Sequence, residues 1–166
     1  MLLAVDVNYI NSDGYIAGIL FDSWSSESPK KEVSTIVHGI AEYEPGNFYK
    51  RELPCILSLI ETHELSPEVI IIDGYVFLDG NGRPGLGMYL YNALNGAIPI
   101  IGVAKSRFKD IPSDSEVFRG DSNRPLYVTA IGIPLGLAKA HIASMHGLYR
   151  VPTILKLTDQ LCRNIR

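Results

Sequence analysis

Hydrophobic and polar positions divide this chain into short apolar runs separated by turn signals. "LLAVDVNYI" (2–10) is dense in Leu, Val and Ile and stops at "NSDG", a tetrapeptide suited to a tight hairpin. "YIAGILF" (15–21) reads as the returning strand, and "EVSTIVHGI" (32–40), after a polar loop, as a third. Short connections between three successive strands favour antiparallel neighbours. The pattern then shifts to a helical period over about 46 to 63, with Phe48, Ile56, Leu59 and Ile60 on one face. Pro54 lies inside that segment and should kink it or delay its start.

Two unbroken apolar runs follow, "PEVIIIDG" (67–74) and "AIPIIGVAK" (97–105). Such runs fit strands covered on both faces, as in a parallel sheet. A Gly-rich loop (74–85) and a helix over "LGMYLYNAL" lie between them. "LYVTAIG" (126–132) predicts another strand. "GLAKAHIASMHGLY" and "TILKLTDQLCRN" predict two closing helices, the first carrying both His141 and His146. The five-residue spacing keeps those two off a common helix face, so they read as helix surface or core. The expected architecture is α/β, a mixed sheet with helices on its faces. No internal repeat or linker stands out, and the 166 residues are expected to form a single domain.

Composition changes this picture little. Cys55 and Cys162 have no metal-ligand spacing and read as small core residues. The start has no basic segment before its apolar run, and no stretch reaches the ~20 apolar residues of a membrane span. A cytoplasmic monomer is expected. The formal charge of −3 argues against a dedicated duplex-DNA binder, though not against an enzyme that grips nucleic acid locally.

Two acids stand in costly places. Asp6 interrupts the first apolar run and Asp73 ends "VIIID". A carboxylate there needs compensation. Adjacent strands would bring the two together, and a cation between them would relieve the repulsion. Mg²⁺, with Mn²⁺ as substitute, suits oxygen ligands and phosphate substrates. Turn-capping is the plainer alternative for either acid alone. Glu52 could reach the same site from its helix. Lys105 ends the next strand at the carboxyl edge, where open α/β sheets bind ligands.

In these motifs the chain resembles endonuclease V, a deoxyinosine-directed repair nuclease family with a ribonuclease H-like fold, which implies a sheet opening in the order 3-2-1-4-5 with helices on both faces. "AVDVNY", "YEPGNFYKRE", "IIIDGY" and "IPIIGVAKSRF" carry the resemblance in the family's order. It implies metal binding by Asp6 and Asp73, an assisting Glu52, and Lys105 at the scissile phosphate. It implies Tyr43 on the Pro45-Gly46 turn as a wedge that separates strands, with Gly74, Tyr75, Arg83 and Tyr89 contacting substrate. The implied activity is Mg²⁺-dependent hydrolysis of a phosphodiester near inosine in DNA or RNA, leaving a 3′-hydroxyl and a 5′-phosphate. The family's Asp-Gly-His-Gly is "DGYV" here, and a family histidine after the late strand aligns with Ile133 of "GI". Those changes also fit a nucleic-acid-binding module with a decayed active site, and the acidic charge fits a homologue without a nucleic-acid role.

Overall fold

The structure is a computed structural model that describes residues 1–166 apart from Ala41, Tyr43, Gly46, Phe48 and Arg166. Among the described residues, the chain runs β1 (Leu2–Ile10), β2 (Asp13–Phe21), β3 (Lys31–Val37), α1 (Tyr49–Thr62), β4 (Val69–Asp73), α2 (Leu86–Ala93) and β5 (Ile100–Ala104). A two-residue strand β6 (Glu116–Val117), β7 (Leu126–Ile131), α3 (Leu135–Ser144) and α4 (Thr153–Arg163) complete it. The strands form one sheet in the order β3-β2-β1-β4-β5-β7-β6. The first five stand as the family resemblance implies.

The hairpin between β1 and β2 closes on Asn11 and Ser12, with Ile10 opposite Asp13. Asn11 takes the left-handed backbone (φ 57°) that asparagine tolerates better than most residues. β4 pairs with β1 and β5 in parallel, and β7 returns antiparallel to β5.

Side-chain alternation splits the core. Leu3, Val5, Ile70, Ile72 and Ile100 face α1 and α2. Leu2, Ala4, Ile71, Ile101 and Val103 face α3 and α4. Both sides are covered, which is why β4 and β5 read as continuous apolar runs.

Two elements depart from the sequence pattern. Pro54 does not hold back the start of α1; the helix runs from Tyr49 through it, with Pro54 on the exposed side. α3 stops at Ser144, so His146 lies beyond the helix and is held instead by Thr153 Oγ1 at 2.9 Å. The cause is Arg119, buried at 5% exposure. Its guanidinium donates to the carbonyls of Met145, Gly147, Tyr149 and Arg150 at 2.6–3.2 Å. Those carbonyls are drawn into a turn around the cation and leave the helical register.

Gly102 decides how the site is built. A Cβ there would stand 2.5 Å from the Gly74 carbonyl oxygen and 3.0 Å from Val76 N. The loop after β4 therefore crosses directly over β5, and Val76 N donates to Thr129 Oγ1 at 2.8 Å. Gly102→Ala is expected to cost ~1–3 kcal/mol by overpacking. Its melting temperature should fall by several degrees, on the scale of ~2–4 °C per kcal/mol for a chain this size. An unchanged thermal melt would mean that the loop yields freely.

Candidate active site

The parallel register puts Val5 opposite Ile72, so the next step sets Asp6 beside Asp73. Asp6 continues the Leu2–Ala4 row and Asp73 follows Ile71, which turns both carboxylates toward the α4 side. Lys105 extends the Ile101–Val103 row of β5. Its Nζ lies 3.8 Å from Asp73 Oδ2, with the two side chains about two-fifths exposed. Glu52 comes from the opposite face, in the first turn of α1.

A further acid arrives that motif reading had not assigned. α4 packs across β1 and β2 through Ile154, Thr158 and Cys162. That places Asp159 at Asp6: one ligand atom each of Asp6, Asp159 and Cys162 lies within 4.8 Å of the others. The signal was present in the period of α4, since Asp159 follows Thr158 and precedes Cys162 by three. Its partner strand could not be read from that period.

The electrostatics are those of crowded, half-dry acids. Burial, and after it the Asp73 charge, push the Asp6 carboxyl up to about 7, although the Val7 amide at 2.9 Å pulls the other way. Burial, then Asp73 and Asp6, push Glu52 up to about 8. Burial raises Asp73 as well, against the pull of Lys105. Asp159 shares a 3.0 Å contact with Arg163 Nε. Burial, then the Asp6 charge, hold the Cys162 thiol up at about 12, so it remains a small core side chain beside the acids.

A cavity of about 20 Å³ lies between Asp6, Asp73 and Lys105. That is room for one water molecule or one ion. Asp6 and Asp73 offer it oxygen donors, with Asp159 close to Asp6 and Glu52 in the neighbouring cleft beside Asp73, and such carboxylates fit Mg²⁺ or Mn²⁺.

Beside this edge a cleft of about 530 Å³ opens, lined by Glu52, Asp73, Lys105, Gly74, Tyr75 and Phe108 among others. Tyr75 is a strut rather than a free donor. Its hydroxyl donates to the Ser106 carbonyl at 2.6 Å and accepts from Phe108 N at 3.0 Å. Arg83 is exposed and stands 6.0 Å from the Phe108 ring. Tyr89 stacks on Tyr49 with ring centroids 3.7 Å apart. Pro45 lies in an exposed turn, while Tyr43 and Gly46 lie outside the described residues.

The chain matches the endonuclease V family model over residues 1–149. It belongs to the endonuclease V family. An endonuclease V from Nocardia farcinica is 26% identical over 184 residues, covering 96% of this chain and 78% of its own length. The chain spans 57% to 63% of the length of other curated endonuclease V relatives it matches. The crystal structure of endonuclease V from Streptomyces avermitilis is 26% identical, with a TM-score of 0.80 over 98% of this chain and 79% of that one. The Ciona intestinalis enzyme, solved with a 24mer DNA containing an inosine followed by a ribo-adenosine, is 18% identical with a TM-score of 0.81, covering 98% and 84%. These likenesses establish the ribonuclease H-like fold.

Within the endonuclease V frame, Ile133 has a different meaning from the one its alignment implied. β7 runs antiparallel to β5, so Ile131 sits opposite Ile100 while Tyr127 sits opposite Ala104. Ile133 therefore lies at the sheet edge opposite the acids and packs against the core near α3. It replaces nothing at the site; the position beside Asp6 is filled from α4 by Asp159.

Proposed function

We propose that this chain is a divalent-metal-dependent endonuclease that cuts a phosphodiester near a deaminated base, inosine foremost, in DNA or RNA. The observation that carries this reading is the convergence of Asp6 from β1, Glu52 from α1, Asp73 from β4, Asp159 from α4 and Lys105 just after β5 at one end of the sheet. Family membership supports it, and so does the inosine-containing DNA bound by the Ciona enzyme. Residues 1–166 would work as one domain.

Asp6 and Asp73 would hold a Mg²⁺ or Mn²⁺ ion, with Glu52 and Asp159 completing the donor set. Such an ion neutralises charge on the transferring phosphoryl group and lowers the pKa of bound water. Lys105 sits where it can hold a non-bridging oxygen of the scissile phosphate. A carboxylate of Glu52 or Asp159 accepts the proton of the attacking water. The new oxygen–phosphorus bond forms as the bond to the 3′-oxygen breaks, and that oxygen takes a proton from solvent. The products are a 3′-hydroxyl and a 5′-phosphate. The cleft at Gly74, Tyr75 and Phe108 would receive the flipped base against an aromatic wall. Tyr43 on the Pro45-Gly46 turn would wedge the strands, and Arg83 and Tyr89 would flank the substrate.

The test is incubation with inosine-containing single- and double-stranded DNA and RNA, with Mg²⁺, Mn²⁺ or chelator. Metal-dependent cleavage near inosine is expected. Salt-sensitive binding without cleavage would instead assign the chain to nucleic-acid-binding modules. Neither binding nor cleavage would sink both readings.

A further inference from the structure

We propose that Tyr149 and Lys156 form a nucleotide-stacking subsite on the far side of the acidic edge from the Tyr75 cleft. The inference rests on the nuclease reading and adds a path for the strand. Lys105 stands between two openings. One is the 530 Å³ cleft that holds Glu52 and Asp73. The other is a groove of about 270 Å³ lined by Lys105, Tyr149, Arg150, Val151, Lys156 and Asp159. A strand whose phosphate sits at Lys105 can therefore place one neighbouring nucleotide in each opening.

The groove has the chemistry a nucleotide needs. Tyr149 is 75% exposed and offers a ring for a base to stack on. Its backbone is held firmly, because buried Arg119 donates to the Tyr149 carbonyl at 2.8 Å. Gly120 lets that loop close down; a Cβ there would stand 2.2 Å from the Leu148 carbonyl oxygen. Arg150 donates to the carbonyls of Lys105 and Pro125, which ties the platform to the phosphate-facing lysine. With Arg150 engaged in this way, the exposed Lys156 is the cation left for a backbone phosphate. The Asp159 charge is already answered by Arg163. Exposed Leu148, next to Tyr149 in the chain, adds apolar surface that would also suit a protein partner. The cations and the continuity with the acidic edge favour a nucleic-acid strand.

Fluorescence anisotropy of a labelled single-stranded inosine oligonucleotide, with Ca²⁺ replacing Mg²⁺, tests the subsite on the full chain. Tyr149→Ala should weaken binding roughly tenfold, within the range of one lost base stack. Tyr149→Phe should stay close to wild type. An abasic unit at one position flanking the inosine should weaken wild type by the same factor and leave Tyr149→Ala unaffected. Lys156→Gln should reduce the salt slope by about 1. Normal wild-type binding with no effect of Tyr149→Ala overturns the subsite alone and leaves the patch to a protein partner. Losses from the abasic unit and Tyr149→Ala that multiply also overturn it. Absence of any wild-type binding overturns the nuclease reading together with it.

Discussion

Asp6→Asn is expected to remove cleavage while making the metal-free protein more stable at pH 8. The two effects have one cause. Asp6 is largely desolvated, faces Asp73 by sheet register and Asp159 from α4, and its carboxyl is pushed up to about 7. At pH 8 the folded protein must carry that charge without a cation, whereas the unfolded chain carries it in water. An amide of the same shape removes the penalty, worth on the order of 1–3 kcal/mol. The same substitution would take away a proposed metal ligand and should lower the cleavage rate by more than ~10²-fold, the scale seen when one preorganised electrostatic group is lost. It should also cancel the stabilisation expected of wild type with Mg²⁺ or Mn²⁺, about 2.7 kcal/mol at a hundredfold excess over the dissociation constant. Thermal melts of both proteins, with metal and with chelator, read all of this beside a cleavage assay. A mutant that melts lower than wild type in chelator would make Asp6 a structural residue, and the shared-metal reading would fail.

The antiparallel run of β1 to β3 and the buried character of β4 and β5 were legible from local signals, whereas the place of β4 beside β1 came with the family resemblance. "NSDG" set β1 against β2, and two-sided burial left β4 and β5 as unbroken apolar runs. Asp6 and Asp73 were legible because a carboxylate in such a run is anomalous. Asp159 was not, because an acid on an amphipathic helix is ordinary until the strand beneath it is known. Ile133 misled for a related reason: alignment gives order along the chain, but only the antiparallel return of β7 tells which sheet edge a residue reaches. The early end of α3 was hidden because its cause, Arg119, lies 26 residues from Met145, the first carbonyl it draws out of register. β6 has only two residues and too short a pattern to read.

Between pH 5 and pH 8 the metal-free protein should lose stability as pH rises, the reverse of what an ordinary paired carboxylate gives. The folded-state carboxyls of Asp6 and Glu52 are raised, to about 7 and about 8, while unfolded acids ionise near 4. Through that window the unfolded chain has already released protons that the folded chain still holds. The folded state therefore binds more protons, and stability falls with rising pH until both carboxyls have ionised, after which the slope vanishes. On the proposed reading, Mg²⁺ or Mn²⁺ would take the place of those protons, so its binding should release them and tighten as pH rises. The gap between melting temperatures with metal and with chelator should widen from pH 5 to pH 8, by several degrees. Asp79, lowered by the Arg83 and Asn81 amides, adds a contribution of opposite sign near pH 4. Comparing wild type with Glu52→Gln at each pH isolates the site from it. The variant should lose part of the downward slope in chelator and bind metal more weakly. If the chelator curves of the two proteins run parallel from pH 5 to pH 8, Glu52 does not hold a raised proton, and its helix brings it near the acids without coupling it to them.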